Sequence, residues 1–199
     1  QWYHKQRAKA VGIITKGYEH MHVSSRYLSV LSRHHADFMK DQCHKISRAI
    51  INYCIKHRAG TLVLGENKLW KQGCSMDSQG NQNFISMPIG LLKQLIIYKA
   101  ADAGMKIIMQ EESYTSQADI TAMDYIPVYG VDDEKAVFSG RRIKRGLYKC
   151  SNGLIINADC NGAANIMRKA IPDAWNGVVD FSFLASPEVS GFHELNPLS

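Results

Sequence analysis

The sequence predicts an α/β fold, a mixed sheet flanked by helices, with a long basic helical region and a C-terminal β-hairpin. Three observations predict it. Apolar positions recur at three- and four-residue spacing within residues 24–57. Two short apolar runs, Thr61–Leu64 and Lys106–Met109, lie on either side of a helical stretch. Two extended segments then meet at Asn152-Gly153, a strong hairpin signal.

Each element follows from its residues. Residues 1–15 mix Lys5, Arg7 and Lys9 with Val11, Ile13 and Ile14, which predicts a short helix closed near Gly17. Ser24 or Ser25 caps the long helix. Its apolar stripe is Met39, Cys43, Ile46, Ile50 and Tyr53 or Cys54, and it ends at Gly60. Thr61–Leu64 is a buried parallel strand, and 73–83 is a polar loop. Pro88 opens the next helix, whose Leu91, Leu92, Leu95 and Ile96 face a core before Gly104 stops it. Lys106–Met109 follows as a second buried strand, giving a βαβ crossover. Residues 118–140 are irregular. The hairpin pairs Leu147–Cys150 with Leu154–Ala158, and a helix runs to about Ala170 before a loose tail containing Pro172, Pro187 and Pro197.

Bulk properties narrow the partners. The 199 residues carry a net charge of +6 and a sequence pI near 9.0, which favours an anionic partner such as nucleic acid. Much of the excess lies in residues 1–60, where eleven Lys and Arg residues meet only Glu19, Asp37 and Asp41. Arg33, Lys40, Lys45 and Arg48 fall mostly off the apolar stripe of the long helix. That face is either a plain solvated surface or a phosphate contact. A denser run, Arg141, Arg142, Lys144 and Arg145 with Lys149 after it, suits the backbone of a nucleic-acid strand, and Tyr114 and Tyr148 suit stacking on its bases. Trp70 reads as a loop anchor. No run reaches the roughly 18 apolar residues of a membrane span. The five cysteines, Cys43, Cys54, Cys74, Cys150 and Cys160, form no CxxC pair and point to reduced thiols in a cytoplasm. The chain opens on Gln1-Trp2-Tyr3 without an initiator Met and reads as a piece of a longer protein.

Asp159 stands where an extended run gives way to the small-residue helix Asn161-Gly162-Ala163-Ala164-Asn165. Two readings follow. The carboxylate caps the helix, as Asp readily does, or it holds a divalent metal against a phosphodiester.

Asp159-Cys160-Asn161-Gly162-Ala163-Ala164-Asn165-Ile166 resembles the last motif of the RuvC-like nuclease domain of TnpB (OrfB) proteins of insertion sequences. Tyr114-Thr115-Ser116-Gln117, the helix Leu95-Ile96-Ile97-Tyr98-Lys99-Ala100 and His44-Lys45-Ile46-Ser47 resemble other signatures of that family, in the family's order. The likeness spans about Ser25 to Ala170.

The resemblance implies an RNase H-like (RuvC) fold fragment, a partial mixed sheet over residues 1–171 that lacks its first strands. It further implies a guide RNA, a DNA target, and Mg²⁺ or Mn²⁺ held by converging carboxylates. Asp159 is then a catalytic metal ligand. The family's first-strand Asp precedes the region resembling Gln1–Lys9. The family's central-strand Glu falls on Gly65 by direct register, with Glu66 one position later as a second expected metal ligand and catalytic acid. Glu111 and Glu112 are substitutes for it, at the end of the adjacent strand. The zinc ribbon common in the family is degenerate across 113–158. Asp119 and Ala122 replace one cysteine pair, and Cys150 has lost its partner, so zinc is not expected. The other implied reading is an inactive or decayed nucleic-acid-binding relative.

Overall fold

The computed structural model describes residues 2–16, 23–66 and 88–189. The loop expected at 73–83, Trp70, Cys74 and the end of the chain lie outside the described residues. The chain divides into two units, residues 1–57 with 74–103 and residues 58–73 with 104–197.

The first unit is helical, with α1 (Trp2–Thr15), α2 (Arg26–Lys56) and α3 (Ile89–Asp102). Ser25 caps α2, its Oγ accepting from Leu28 N at 3.2 Å. The helix stops at Lys56, short of Gly60, because Arg58 takes the left-handed turn at φ 54°. Gly104, at φ 71°, follows α3 as expected.

The buried face of α2 is rotated from the expected stripe. Leu28, Leu31, Cys43, Ser47, Ile51 and Cys54 are buried on it, whereas Tyr53 is exposed. The cause is a cation on α3. Lys99 is buried, and its Nζ donates to His44 O (2.6 Å) and Ser47 Oγ (2.7 Å). A buried ammonium needs such acceptors, so α2 turns Ser47 and the His44 carbonyl, which also accepts from Ser47 Oγ at 3.0 Å, inward. Burial, and then the charge of Arg48, hold Lys99 below the usual lysine range. Two of the motifs that resembled one family are thus the two halves of one contact.

The second unit begins with β1 (Thr61–Glu66) paired in parallel with β2 (Lys106–Glu111), from Thr61↔Lys106 to Glu66↔Glu111. Both strands are half-buried, and among the described residues each has one strand neighbour. A separate antiparallel sheet has the order β3 (Arg141–Lys144), β4 (Leu147–Lys149), β5 (Ile155–Asn157), and α4 (Ala158–Ala170) follows. The described strands therefore form two small sheets and not one mixed sheet. Residues 112–140, which join them, are spent on turns. Asp124 accepts from Asp119 N and Ser139 N, both at 2.9 Å, and Asp132 accepts from Val128 N at 2.7 Å.

β4 and β5 are the expected hairpin, closed by Gly153 N donating to Cys150 O at 3.0 Å. β3 is an addition. α4 packs on β1 and β2. The chain after 171 is not loose where it is described. Trp175 Nε1 donates to Ala164 O at 3.0 Å, and Phe181 and Leu184 enter the core with Ile120, Tyr148 and Ile156. Those aromatic and aliphatic groups stabilise the unit by withdrawing apolar area from water. Among the described residues no helix is long and apolar enough to cross a membrane.

Candidate nucleic-acid and metal site

The start of α4 decides how Asp159 is used. Asn157, still extended at ψ 129°, is the cap, and its Oδ1 accepts from Asp159 N (2.9 Å) and Cys160 N (3.0 Å). The capping reading of Asp159 is thereby corrected. Asn157 precedes it by two residues and takes the orphan amides first. The Asp159 side chain stays exposed, with no ion pair among the described residues, and its charge sits in the first turn where the helix dipole favours an anion.

The rest of the motif is architectural. Asn161 and Asn165 are wholly buried. Asn161 Nδ2 donates to Ala118 O (2.8 Å) and its Oδ1 accepts from Ile120 N (3.3 Å). Asn165 Nδ2 donates to Thr115 O (3.0 Å) and Ala118 O (2.7 Å). The Tyr114–Gln117 turn is thus clamped onto α4. Tyr148, expected to stack on bases, is fully buried opposite Ile156 and donates its hydroxyl to Gln117 O at 2.7 Å. Gly140 makes room for that ring, because a Cβ there would stand 2.6 Å from Tyr148 Cε1. Tyr114 is half-buried beside Phe138 and Tyr129, and its hydroxyl donates to Asp133.

The three glutamates part ways at the end of the parallel pair. Glu111 is committed: its carboxylate accepts from Lys169 Nζ (2.5 Å) and from the amide and hydroxyl of Ser113. Burial alone would raise its pKa, but the Lys169 and Ser113 hydrogen bonds outweigh it and hold the acid below the usual range. Glu66 is opposite Glu111 in the register, and strand alternation turns it to the face away from residue 65. Glu112 N donates to Glu66 O at 3.3 Å, so pairing continues one step past β2. Its carboxylate lies over Gly65, where Ile166 of α4 also reaches. Among the described residues no group of three His, Cys, Asp or Glu side chains is placed to hold a metal.

At the β4–β5 hairpin a carboxylate makes the cross-link. Asp119 is fully buried, with Oδ2 accepting from Ser151 N (2.6 Å) and Oδ1 from Thr121 N (2.9 Å) and Thr121 Oγ1 (2.8 Å). Burial opposes ionisation, yet these bonds hold Asp119 below the usual carboxylate range. The adjacent Cys150 thiol is pushed up to about 12, by burial first and then by the Asp119 charge.

The basic residues are all in place as charges. Arg141, Arg142 and Lys144 on β3, Arg145 in the turn after it and Lys149 on β4 are exposed, with Arg141 directly opposite Lys149, and none is ion-paired among the described residues. In the helical unit Arg33, Lys40 and Arg48 are exposed, while Lys45 pairs with Asp41 at 2.9 Å. Asn157, Asp119 and Lys99 were missed as determinants. Only Asn157 carried a signal, a good capping residue at the end of an extended run.

With this arrangement in view, the similarities to known proteins take their place. Residues 90–166 match the family model of the Cas12f1-like TNB domain. These comparisons support a Cas12f-like, TnpB-related chain, α/β with small sheets. Over 139 residues it is 32% identical to the CRISPR-associated endodeoxyribonuclease Cas12f1 of Sulfoacidibacillus thermotolerans, covering 69% of this chain and 28% of that protein. Its fold is similar to a chain of the Cas12f1-sgRNA-target DNA complex solved by cryo-EM, with a TM-score of 0.58 and 20% identity, covering 86% of this chain and 41% of that one. The chain therefore spans well under half the length of these relatives.

Proposed function

We propose that this chain is the C-terminal part of a transposon-encoded, TnpB-like, RNA-guided DNA endonuclease of RuvC type, acting in the cytoplasm by metal-dependent phosphodiester hydrolysis. One observation carries the reading. Asn157 takes the cap, so Asp159 keeps an uncommitted carboxylate at the exposed start of α4. The curated relative is an endodeoxyribonuclease, and the structural neighbour holds a guide and a DNA target. DNA and guide RNA are accordingly the partners we assign to the whole protein.

The donor chemistry fits Mg²⁺ or Mn²⁺, since hard carboxylate oxygens suit hard cations. A bound divalent ion supplies an activated water and neutralises charge on the scissile phosphate. Asp159 would hold that ion from the helix end, where the helix dipole favours an anionic group. Arg141 and Lys149 hold the backbone of the strand, and Arg142, Lys144 and Arg145 extend that surface. Water adds at phosphorus, the P–O bond to the leaving strand breaks, and the departing oxygen takes a proton from solvent. We read the hairpin as zinc-free, because the Asp119 clasp spans it and Cys150 has no CxxC partner in the sequence.

Gly65, where the resemblance places a Glu, favours a second reading: a binding relative that no longer cuts. The experiment is Mn²⁺-dependent cleavage of labelled single-stranded DNA by the full-length protein with its guide, beside Asp159→Ala. Cleavage abolished by that change supports the nuclease. Salt-sensitive binding without cleavage in either protein supports the second reading.

A further inference from the structure

We propose that the loop at 123–138 is a docking surface for a basic, amphipathic segment of a partner protein. It uses none of the residues that the nuclease reading needs.

The loop leaves an uncommon amount of apolar surface in water. Met123, Tyr125, Val128, Tyr129, Val131 and Val137 are all exposed, Val131 at 76% and Val137 at 78%. Apolar area left in water adds nothing to the stability of the fold. A single exposed valine is ordinary, but such a concentration on one loop marks a protein-binding surface.

The loop is nevertheless pre-organised. Asp132 is buried and accepts from Val128 N at 2.7 Å and from the Tyr125 hydroxyl. Asp133 accepts from Gly130 N at 2.9 Å and from the Tyr114 hydroxyl at 2.7 Å. The Tyr114 ring has Tyr129 and Phe138 as neighbours, with centroids 6.5 and 6.1 Å away. With backbone and rings already held, little ordering entropy is left to lose when a partner binds.

Charge then selects the partner. Residues 123–138 carry Asp124, Asp132, Asp133 and Glu134 against Lys135 alone, and Asp133 and Glu134 are exposed. Such a surface repels a phosphate backbone and attracts a cation. Lys135 shows what its rings accept, since its Nζ stands 5.7 Å from the Tyr125 centroid. The Tyr129 ring is 59% exposed, with no cation over it among the described residues. Tyr114 links that ring to Asp133, touching the first and bonding the second. An arginine or lysine of the partner stacks over Tyr129 with Asp133 and Glu134 as counter-charges, and its apolar neighbours cover Val128 and Val131.

The test is fluorescence anisotropy on the full-length protein free of nucleic acid, with melting temperature as a parallel readout. The probe is a short fluorescein-labelled peptide of alternating arginine and leucine, beside a version with glutamine in place of arginine. The arginine peptide is expected to bind, less tightly as salt rises, and the glutamine version on the order of tenfold more weakly. Glu134→Lys is expected to weaken the arginine peptide on the order of tenfold, and Tyr129→Ala and Val131→Ser each by about two- to fivefold. All three side chains are exposed, so the melting temperature is expected to hold. Equal affinity for the two peptides would overturn the assignment in favour of an uncharged partner. No binding, or binding that none of the variants moves, would overturn it outright. So would a single-stranded oligonucleotide that displaces the peptide and loses affinity in Tyr129→Ala, because the ring would then be a platform for bases.

Discussion

Two aspartates in one structural unit meet opposite fates. Asp119 is wholly buried and saturated with three hydrogen bonds to Ser151 and Thr121. Asp159 is exposed, and the cap is Asn157, which accepts from the amide of Asp159 itself and that of Cys160. A buried carboxylate whose two oxygens are both bonded to backbone and side-chain donors holds structure. One whose neighbour has relieved it of that duty is open to a cation or a phosphate. The same contrast separates Glu111, tied to Lys169, from Glu112 over Gly65.

The sharpest way to break this comparison is to exchange the two effects. Asp159→Ala is expected to abolish cleavage while moving the melting temperature little, because no described ion pair is lost. Asp119→Ala is expected to do the reverse and destabilise the protein by about 2–4 kcal/mol, as buried donors on Ser151 and Thr121 lose a charged acceptor. Denaturant unfolding measures it. A loss below about 1 kcal/mol would show that the hairpin's own turn suffices. The clasp also predicts a pH dependence. The folded-state pKa of Asp119 lies below its unfolded value near 3.9, so its contribution is present above that value and is lost as pH falls through the folded one. In Asp119→Ala that part of the acid-induced loss is expected to vanish.

How much of this was legible depends on whether local pattern or partner set the outcome. Ser25, Pro88, Gly104 and the Asn152-Gly153 turn act within a few residues of themselves and were readable. β3 was not, because Arg141-Arg142-Ile143-Lys144 has no alternation and gains its strand form only by pairing with β4. The inward face of α2 was misjudged through Lys99, whose partners lie more than fifty residues away. Tyr148 looked like a stacking ring, yet it sits at the middle of a three-stranded sheet, where alternation buries it. Asp159 was legible as a candidate, and the structure adds its exposed place at the start of α4. Which of Glu111 and Glu112 would bond Lys169 could not be read, because it turns on where the ladder with β1 stops, which an apolar run does not disclose.

A third contrast is between charge that is held and charge that is offered. Lys169 is tied to Glu111, whereas Arg141 and Lys149 face each other across β3 and β4 with no ion pair among the described residues. If they hold a DNA or RNA backbone, Arg141→Ala and Lys149→Ala should each reduce the slope of log affinity against log salt by about 1, whatever the sequence bound. Equilibrium binding across a salt series measures this, and an unchanged slope in both variants would make that edge an ordinary solvated surface.

The smallest expected effect tests the logic most finely. Asn157→Ala removes the cap of α4 and should cost about 1 kcal/mol. If the cap served only stability, Asn157→Ser, which keeps an acceptor at the same place, should return nearly all of it. Asp159 cannot take over, since from the second helical position its carboxylate does not reach its own amide or that of Cys160 in the way a residue ahead of the helix does. Cleavage in Asn157→Ala should therefore fall by far less than in Asp159→Ala, in proportion to fraying of the first turn. Equal losses in the two variants would mean that cap and carboxylate work as one unit, and that the division of labour drawn between them is too clean.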